Sequence, residues 1–362
     1  MHRIDIIAGA RPNFIKIASI INAIEKNSTS LSYRLIHTGQ HYDEKLSEVF
    51  FSQLNIPKPE INFEVGSGSH AVQTAKIMVK YEELINNSAS SICLLVGDVN
   101  STLACAIVSQ KMHIPVAHVE AGLRSGDWTM PEEINRIVTD SISNWFYTTS
   151  IEAGENLMNI GVKKEQIKFV GNTMIDTLIL NREKFRQPGF FKKLNLKKNN
   201  YIVLTLHRPS NVDNIENLEK ILDSIFSVIK NQPIIFPVHP RTIINMNKIS
   251  LNTHNIHIVE PQPYLEFNYL VENSMAVITD SGGITEETTF LGIPCLTLRK
   301  NTERPETVKM GTNVLVGNST NLIQKALKEI LSGKWKSGSI PQRWDGKSGE
   351  RIVNSIEKIL NC

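Results

Sequence analysis

The chain has 362 residues, with 39 Lys and Arg against 36 Asp and Glu and 41% apolar residues. At roughly 150 residues per domain this length predicts two domains, each able to build a core without staples. The ordinary composition excludes a disordered or collagen-like chain, and a net charge of +3 predicts no nucleic-acid or membrane partner.

Short apolar runs at 4–8, 34–38, 92–96 and 116–119 read as strands, with amphipathic stretches at 14–25, 71–86 and 101–112 between them. That alternation predicts a parallel sheet covered by helices on both faces. The pattern restarts with strands at 202–206, 234–238, 257–259, 276–279 and 295–298. Residues 185–200 are rich in Lys and Asn and contain Pro188 and Gly189, which predicts a surface junction. The expected organisation is therefore α/β, two Rossmann-like doubly wound domains at 1–171 and 172–348. A last helix at 349–360 is expected to pack back onto the first domain. No repeat of solenoid length is present. Cys93, Cys105 and Cys295 lie in apolar stretches, and with Cys362 they form no CxxC pattern, so buried reduced thiols are expected. No run reaches the ~18 apolar residues of a membrane span. The N-terminal apolar run is short and broken by Asp5, which places the expected location in the cytoplasm.

Ligands of open α/β sheets bind beyond the carboxyl ends of the strands, and polar residues gather there. Arg11 and Lys16 follow the first strand, Asp98 and Glu120 follow two others, and His207, His239 and Asp280 follow strands of the second half. Two such edges facing each other would form one interdomain cleft. The run Asp280-Ser-Gly-Gly-Ile-Thr-Glu-Glu287 reads as strand end, glycine turn and helix start. Its amides and Ser281 suit a phosphate, and Glu287 could reach a ribose diol. A plain N-cap by Ser281 and a solvated Glu287 explain the same letters. Asp98, Glu120 and Glu132 lie among glycines, prolines, Arg124 and Arg136, as proton transfer at a carbon requires. Glu132 or Glu133 could instead simply open the helix after Pro131. His207 suits an acid, a base or a phosphate ligand. The pairs His37/His41 and His254/His257 lack metal-site context, and no GxGxxG or Walker loop supports a nicotinamide or P-loop nucleotide.

Taken together, these stretches resemble the non-hydrolysing UDP-N-acetylglucosamine 2-epimerase family. The resemblance is carried by Gly9-Ala-Arg-Pro-Asn-Phe-Ile-Lys16, His37-Thr-Gly-Gln-His41, Gly97-Asp98, Val119-Glu-Ala-Gly-Leu-Arg124 and Pro131-Glu-Glu-Ile-Asn-Arg136. It continues through Gly171-Asn172, His207-Arg208, Glu260-Pro-Gln262, the 280–287 run and Thr302-Glu-Arg-Pro-Glu306. It implies a glycosyltransferase-B-like fold closing on a UDP-sugar, a homodimer, and chemistry needing no NAD or metal cofactor. The implied reaction eliminates UDP to a 2-acetamidoglucal and adds it back, supplying surface-polysaccharide precursors. Asp98, Glu120 and Glu132 match the family's acid/base carboxylates, with His207 beside the diphosphate. Arg11, Lys16, Arg136, Ser281, Gly282, Gly283, Glu287 and Arg304 match UDP-holding positions, and Gln262 and Phe267 match the uracil pocket. Asn13 stands where the family commonly has Glu. Pro209-Ser210 and His239-Pro-Arg241 also depart from its pattern, and they bear on the sugar's C3 and C6 groups. Alternatives are a modified UDP-N-acetyl sugar (deoxy, uronate or diacetamido), a glycosyltransferase on the same fold, hydrolytic epimerisation, or a non-catalytic nucleotide-sugar-binding protein.

Overall fold

The computed structural model describes residues 2–28, 30–39, 44–238, 240–246, 248–249 and 255–361, with backbone alone at 44–48, 240 and 241. Candidate positions His41, His239, His254 and Cys362, and the Arg241 side chain, lie outside the described residues. The chain divides into two compact units, Met1–Leu180 with Gln342–Cys362, and Asn181–Pro341.

In the first unit the strands are β1 (His2–Ala8), β2 (Leu31–His37), β3 (Ile61–Asn62), β4 (Ile92–Val96), β5 (Val116–Val119), β6 (Trp145–Thr148) and β7 (Ile167–Phe169). They form one sheet in the order β3-β2-β1-β4-β5-β6-β7, every pairing parallel. The second unit holds β8 (Ile202–Thr205), β9 (Ile234–Pro237), β10 (Ile256–Val259), β11 (Ala276–Thr279), β12 (Cys295–Thr297) and β13 (Asn313–Leu315). Their order, β10-β9-β8-β11-β12-β13, is again wholly parallel. In each sheet the strand order reverses at one point, between β1 and β4 and between β8 and β11. Those two points are where a doubly wound sheet opens a crevice for a ligand.

Parallel strands buried on both faces read as unbroken apolar runs, and Ile92-Cys-Leu-Leu-Val96 is fully buried. One face of the first sheet packs Ile7, Ile36, Cys93 and Leu95 against Ile77, Tyr81 and Cys105 from its covering helices. In the second unit Ile202, Leu204 and Ile278 meet Leu218, Ile221, Ile323 and Leu327 on one face, while Val203, Ile235 and Val277 meet Leu270 and Val271 on the other. The segment expected as a surface junction also carries core. Phe191 and Leu196 share a buried cluster with Tyr201, and the short turn Phe190–Lys193 sends its lysines outward and Phe191 inward. Among the described residues no helix is long and apolar enough to cross a membrane.

The final helix, Ser348–Leu360, lies against the helix Arg11–Asn27 of the same unit. Asp176 anchors it, accepting from Ser348 Oγ at 3.0 Å and Gly349 N at 2.8 Å. Burial pushes the Asp176 carboxyl up to about 6, against the lowering effect of those two donors. Ser28 and Ser30 hydroxyls donate to Glu357 at 2.6 and 2.9 Å. The helices approach so closely at Gly349 that a Cβ there would sit 2.5 Å from the Ser19 carbonyl oxygen. Gly349→Ala is therefore expected to destabilise the folded chain by about 1–3 kcal/mol, the usual range for overpacking. A lowered urea midpoint with unchanged slope would register it; an unchanged midpoint would contradict the close approach.

Candidate active site

The first reversal point is built around Asn13. Its Oδ1 accepts from the Gly9 and Ala10 amides at 3.1 and 2.9 Å, and its Nδ2 donates to the Val96 carbonyl at 3.0 Å. One side chain thus ties the end of β1 to the end of β4. Lys16, one turn further along the helix, places Nζ 2.6 Å from Glu120 Oε2, and both side chains are almost wholly buried. Glu120 directly follows β5 and has φ +67, a left-handed backbone uncommon outside glycine and characteristic of functional sites. Gly97, at φ +71, leaves room for the pair: a Cβ there would lie 3.0 Å from Lys16 Nζ. Arg11 begins the helix with its guanidinium 5.9 Å from the centre of the Phe50 ring.

Asp98, one residue past Gly97, has its Oδ2 3.4 Å from Nη2 of the buried Arg136. The structure therefore joins Lys16 with Glu120 and Asp98 with Arg136 on neighbouring strand ends. Glu132 is half-buried in the first turn of the helix Pro131–Ile142, which also carries Arg136. Its neighbour Glu133 turns inward, accepting from Ser125 N, Ser125 Oγ and Gly126 N at 2.9, 2.9 and 3.1 Å, and it shapes the loop ahead of the helix. The sequence singled out Asn13 and Glu133 without showing what they bind, and it gave no place to a buried group beside the acids. In that group His118 Nδ1 lies 2.8 Å from Asp140 Oδ1, and Asp140 Oδ2 accepts from Gly122 N and Arg124 Nη1 at 3.0 and 2.6 Å. Burial alone would raise the Asp140 carboxyl, but His118 and Arg124 together hold it below its ordinary value. The only signal in the sequence was an acid four residues after Arg136, on the same helical face.

At the second unit's reversal point a buried carboxylate again gathers the loops. Asp280, after β11, accepts from the His207 and Arg208 amides at 3.2 and 3.0 Å and from Asn211 Nδ2 at 3.1 Å. His207 Nδ1 lies 2.8 Å from Asp280 Oδ1, so Nε2 is the nitrogen left for a ligand, and the His207 side chain is 56% exposed. Burial would raise Asp280, yet the hydrogen bond and charge of His207, with the Arg208 and Asn211 donors, hold it low. Ser281 precedes the helix Gly282–Leu291, and its hydroxyl does not cap it. A Cβ on Gly282 would lie 2.6 Å from Glu303 Oε1, so the end of that flexible side chain lies close over the helix start; Gly283 follows in the first turn. Arg304 Nε pairs with the buried Glu286 at 2.8 Å. Glu287 is buried rather than solvated, beside Tyr264 and Asn268. Gln262 donates to the Glu260 carbonyl at 2.7 Å, and Phe267, on the helix Tyr264–Glu272, packs against the core of its unit. Among the described residues no three His, Cys, Asp or Glu side chains gather as metal ligands.

The family profile described as UDP-N-acetylglucosamine 2-epimerase matches residues 22–357. A UDP-N-acetylglucosamine 2-epimerase from Methanocaldococcus jannaschii is 42% identical over 98% of both chains. A crystal structure of the M. jannaschii UDP-GlcNAc 2-epimerase in complex with UDP-GlcNAc and UDP superposes with a TM-score of 0.89, covering 98% of this chain and 99% of that one. A UDP-2,3-diacetamido-2,3-dideoxy-D-glucuronate 2-epimerase from Pseudomonas aeruginosa is 37% identical, covering 98% of this chain and 99% of its own.

Burial pushes the Glu287 carboxyl up from 4.5 to about 7, against the lowering effect of Asn268 and Tyr264. A raised acid contributes its full stability below the unfolded pKa and loses it as pH rises through the folded one. The loss here is roughly 3 kcal/mol. Glu287→Gln, which carries no ionisation cost, is expected to gain stability relative to the parent between pH 5 and pH 9. Urea unfolding across that range checks it, and a difference independent of pH would contradict a buried, elevated carboxyl.

Proposed function

Because the chain belongs to the UDP-N-acetylglucosamine 2-epimerase family, we propose that it interconverts UDP-N-acetylglucosamine and UDP-N-acetylmannosamine without hydrolysis. The carrying observation is the pair of carboxylates on neighbouring strand ends, Glu120 beside Lys16 and Asp98 beside Arg136. Inverting C2 requires a proton to leave one face of the sugar and return to the other, and two separately held acids suit that exchange. In the forward half one carboxylate takes the C2 proton. The C2–H electrons form the C1–C2 double bond, and the C1–O electrons leave with UDP. In the return half UDP oxygen attacks C1 while C2 takes a proton from the opposite face. Glu132 is the third acid in this reading.

The departing diphosphate gains negative charge, which Arg11, Lys16, Arg136, Arg304 and His207 are suited to stabilise electrostatically. Asp280 supports His207 in that role by fixing Nδ1 and leaving Nε2 toward the ligand. We assign the amides and hydroxyl of Ser281, Gly282 and Gly283 to the phosphates, Glu287 to the ribose, and Gln262 and Phe267 to the uracil. The family resemblance further supports a cytoplasmic homodimer supplying polysaccharide precursors. A diacetamido-uronate UDP-sugar is the second reading, favoured by the P. aeruginosa relative and by Pro209-Ser210 after His207-Arg208.

Chromatography of the purified protein with UDP-N-acetylglucosamine should show UDP-N-acetylmannosamine growing to an equilibrium mixture. Turnover confined to the diacetamido-uronate sugar would replace the first reading by the second. Asp98→Asn should lower turnover by ~10²–10⁴-fold, the usual weight of a general acid or base. UDP affinity, followed by calorimetry, should change less than about threefold, as binding that does not depend on the proton transfer. Full turnover in Asp98→Asn would remove this residue from the mechanism.

A further inference from the structure

Resting on that reading, we propose that His118, Asn135 and Asp140 are positioning residues that set the aim of the Asp98 carboxylate. The direction in which Asp98 projects its side chain depends on its own φ and ψ, which are the orientations of the two peptide planes flanking it. Each of those planes is held by one buried side-chain donor. The plane before Asp98 ends in the Gly97 carbonyl, which accepts from His118 Nε2 at 2.9 Å. The plane after it ends in the Asp98 carbonyl, which accepts from Asn135 Nδ2 at 2.8 Å. With both carbonyls held, the backbone at Asp98 has little freedom left to rotate.

The His118 ring is itself oriented by Asp140, whose Oδ1 lies 2.8 Å from Nδ1. The other Asp140 oxygen accepts from the Gly122 amide at 3.0 Å and from Arg124 at 2.6 Å. One carboxylate therefore connects the turn that carries Asp98 to the loop that follows Glu120. Gly122 is packed closely against the helix Ile151–Asn159, since a Cβ at its position would lie only 2.1 Å from the Ala153 carbonyl oxygen, and its own carbonyl accepts from Asn156 at 2.9 Å. His118, Asp140 and Asn135 are all at least nine-tenths buried. Their work is to keep the offset between the two acids constant while C2 passes from one to the other. A misplacement of about 1 Å in a reacting group can cost ~10²-fold in rate.

The test follows the enzyme in deuterated water with UDP-N-acetylglucosamine, comparing deuterium entering C2 of recovered substrate with formation of the C2 epimer. A misaimed Asp98 slows proton transfer on its own face, so the ratio of exchange to epimerisation moves. Loss of folded protein scales both rates equally and leaves the ratio alone. His118→Asn keeps a donor to Asp140 but loses the one to Gly97, and His118→Gln does the reverse. His118→Asn is expected to lower kcat ~10–100-fold with KM within about threefold, and to move the ratio about threefold or more. His118→Gln is expected to restore the ratio. Asn135→Ala, which releases the Asp98 carbonyl, is expected to move the ratio as well, and it serves as the test if His118→Asn does not fold. An unchanged ratio in a folded His118→Asn or Asn135→Ala, or equal ratios in His118→Asn and His118→Gln, overturns the proposal. No exchange at all in the parent protein overturns the epimerase reading and this proposal with it.

Discussion

An ammonium and a carboxylate 2.6 Å apart, both nearly out of solvent, organise the first unit. Lys16 reaches Glu120 from the helix after β1, and Glu120 meets it from the end of β5, with the turn after β4 between them. Removing either partner would strand a buried charge, at a typical cost of ~3–5 kcal/mol. The neighbouring residues accommodate the pair. Gly97 suits glycine because its backbone lies at φ +71, with Lys16 Nζ close by, and Glu120 also holds a left-handed backbone, with its carboxylate on the ammonium. Asn13 draws the ends of β1 and β4 together with three hydrogen bonds.

The second unit reaches a comparable result with different residues. Asp280 is wholly buried, and amide and side-chain donors from the loop after β8 converge on it. Both sheets thus use the point where strand order reverses, and both place there a buried side chain that binds loops from the two flanking strands. In the first unit that side chain is a neutral amide and leaves Glu120 to the lysine. In the second it is a carboxylate that also orients a largely exposed histidine. The difference matches the proposed roles, in which the proton-transferring acids belong to the first unit and the diphosphate draws on cations of both.

The central strands were legible because a parallel strand covered on both faces leaves an unbroken apolar run, as in Ile92–Val96 and Ile202–Thr205. Of the four strands at the sheet margins, only Ile256–Val259 was. Ile61–Asn62 is two residues long, Ile167–Phe169 carries an exposed lysine, and Asn313–Leu315 begins with a buried Asn that pairs with Thr297. Trp145–Thr148 was missed for another reason: it is four residues long and follows its helix after only Ser143 and Asn144. The candidate acids and cations could be found from their places after strands and from the order of the motifs. Glu287 was open to a surface reading because its burial depends on Tyr264 and Asn268, which approach from a different helix. His118 gave no signal in the sequence and Asp140 only its spacing from Arg136, since a histidine inside a strand and an aspartate late in a helix acquire a role only when the fold brings them to 2.8 Å.

The proposed chemistry turns on proton traffic at C2 between carboxylates held on adjacent strand ends. Proton NMR of the purified protein with UDP-N-acetylglucosamine in deuterated water tests that most directly. That chemistry predicts loss of the H2 signal of the sugar together with growth of a manno-configured UDP-sugar bearing deuterium at C2. A manno product that retains its original hydrogen at C2, or an H2 signal that persists while UDP binds, would contradict it.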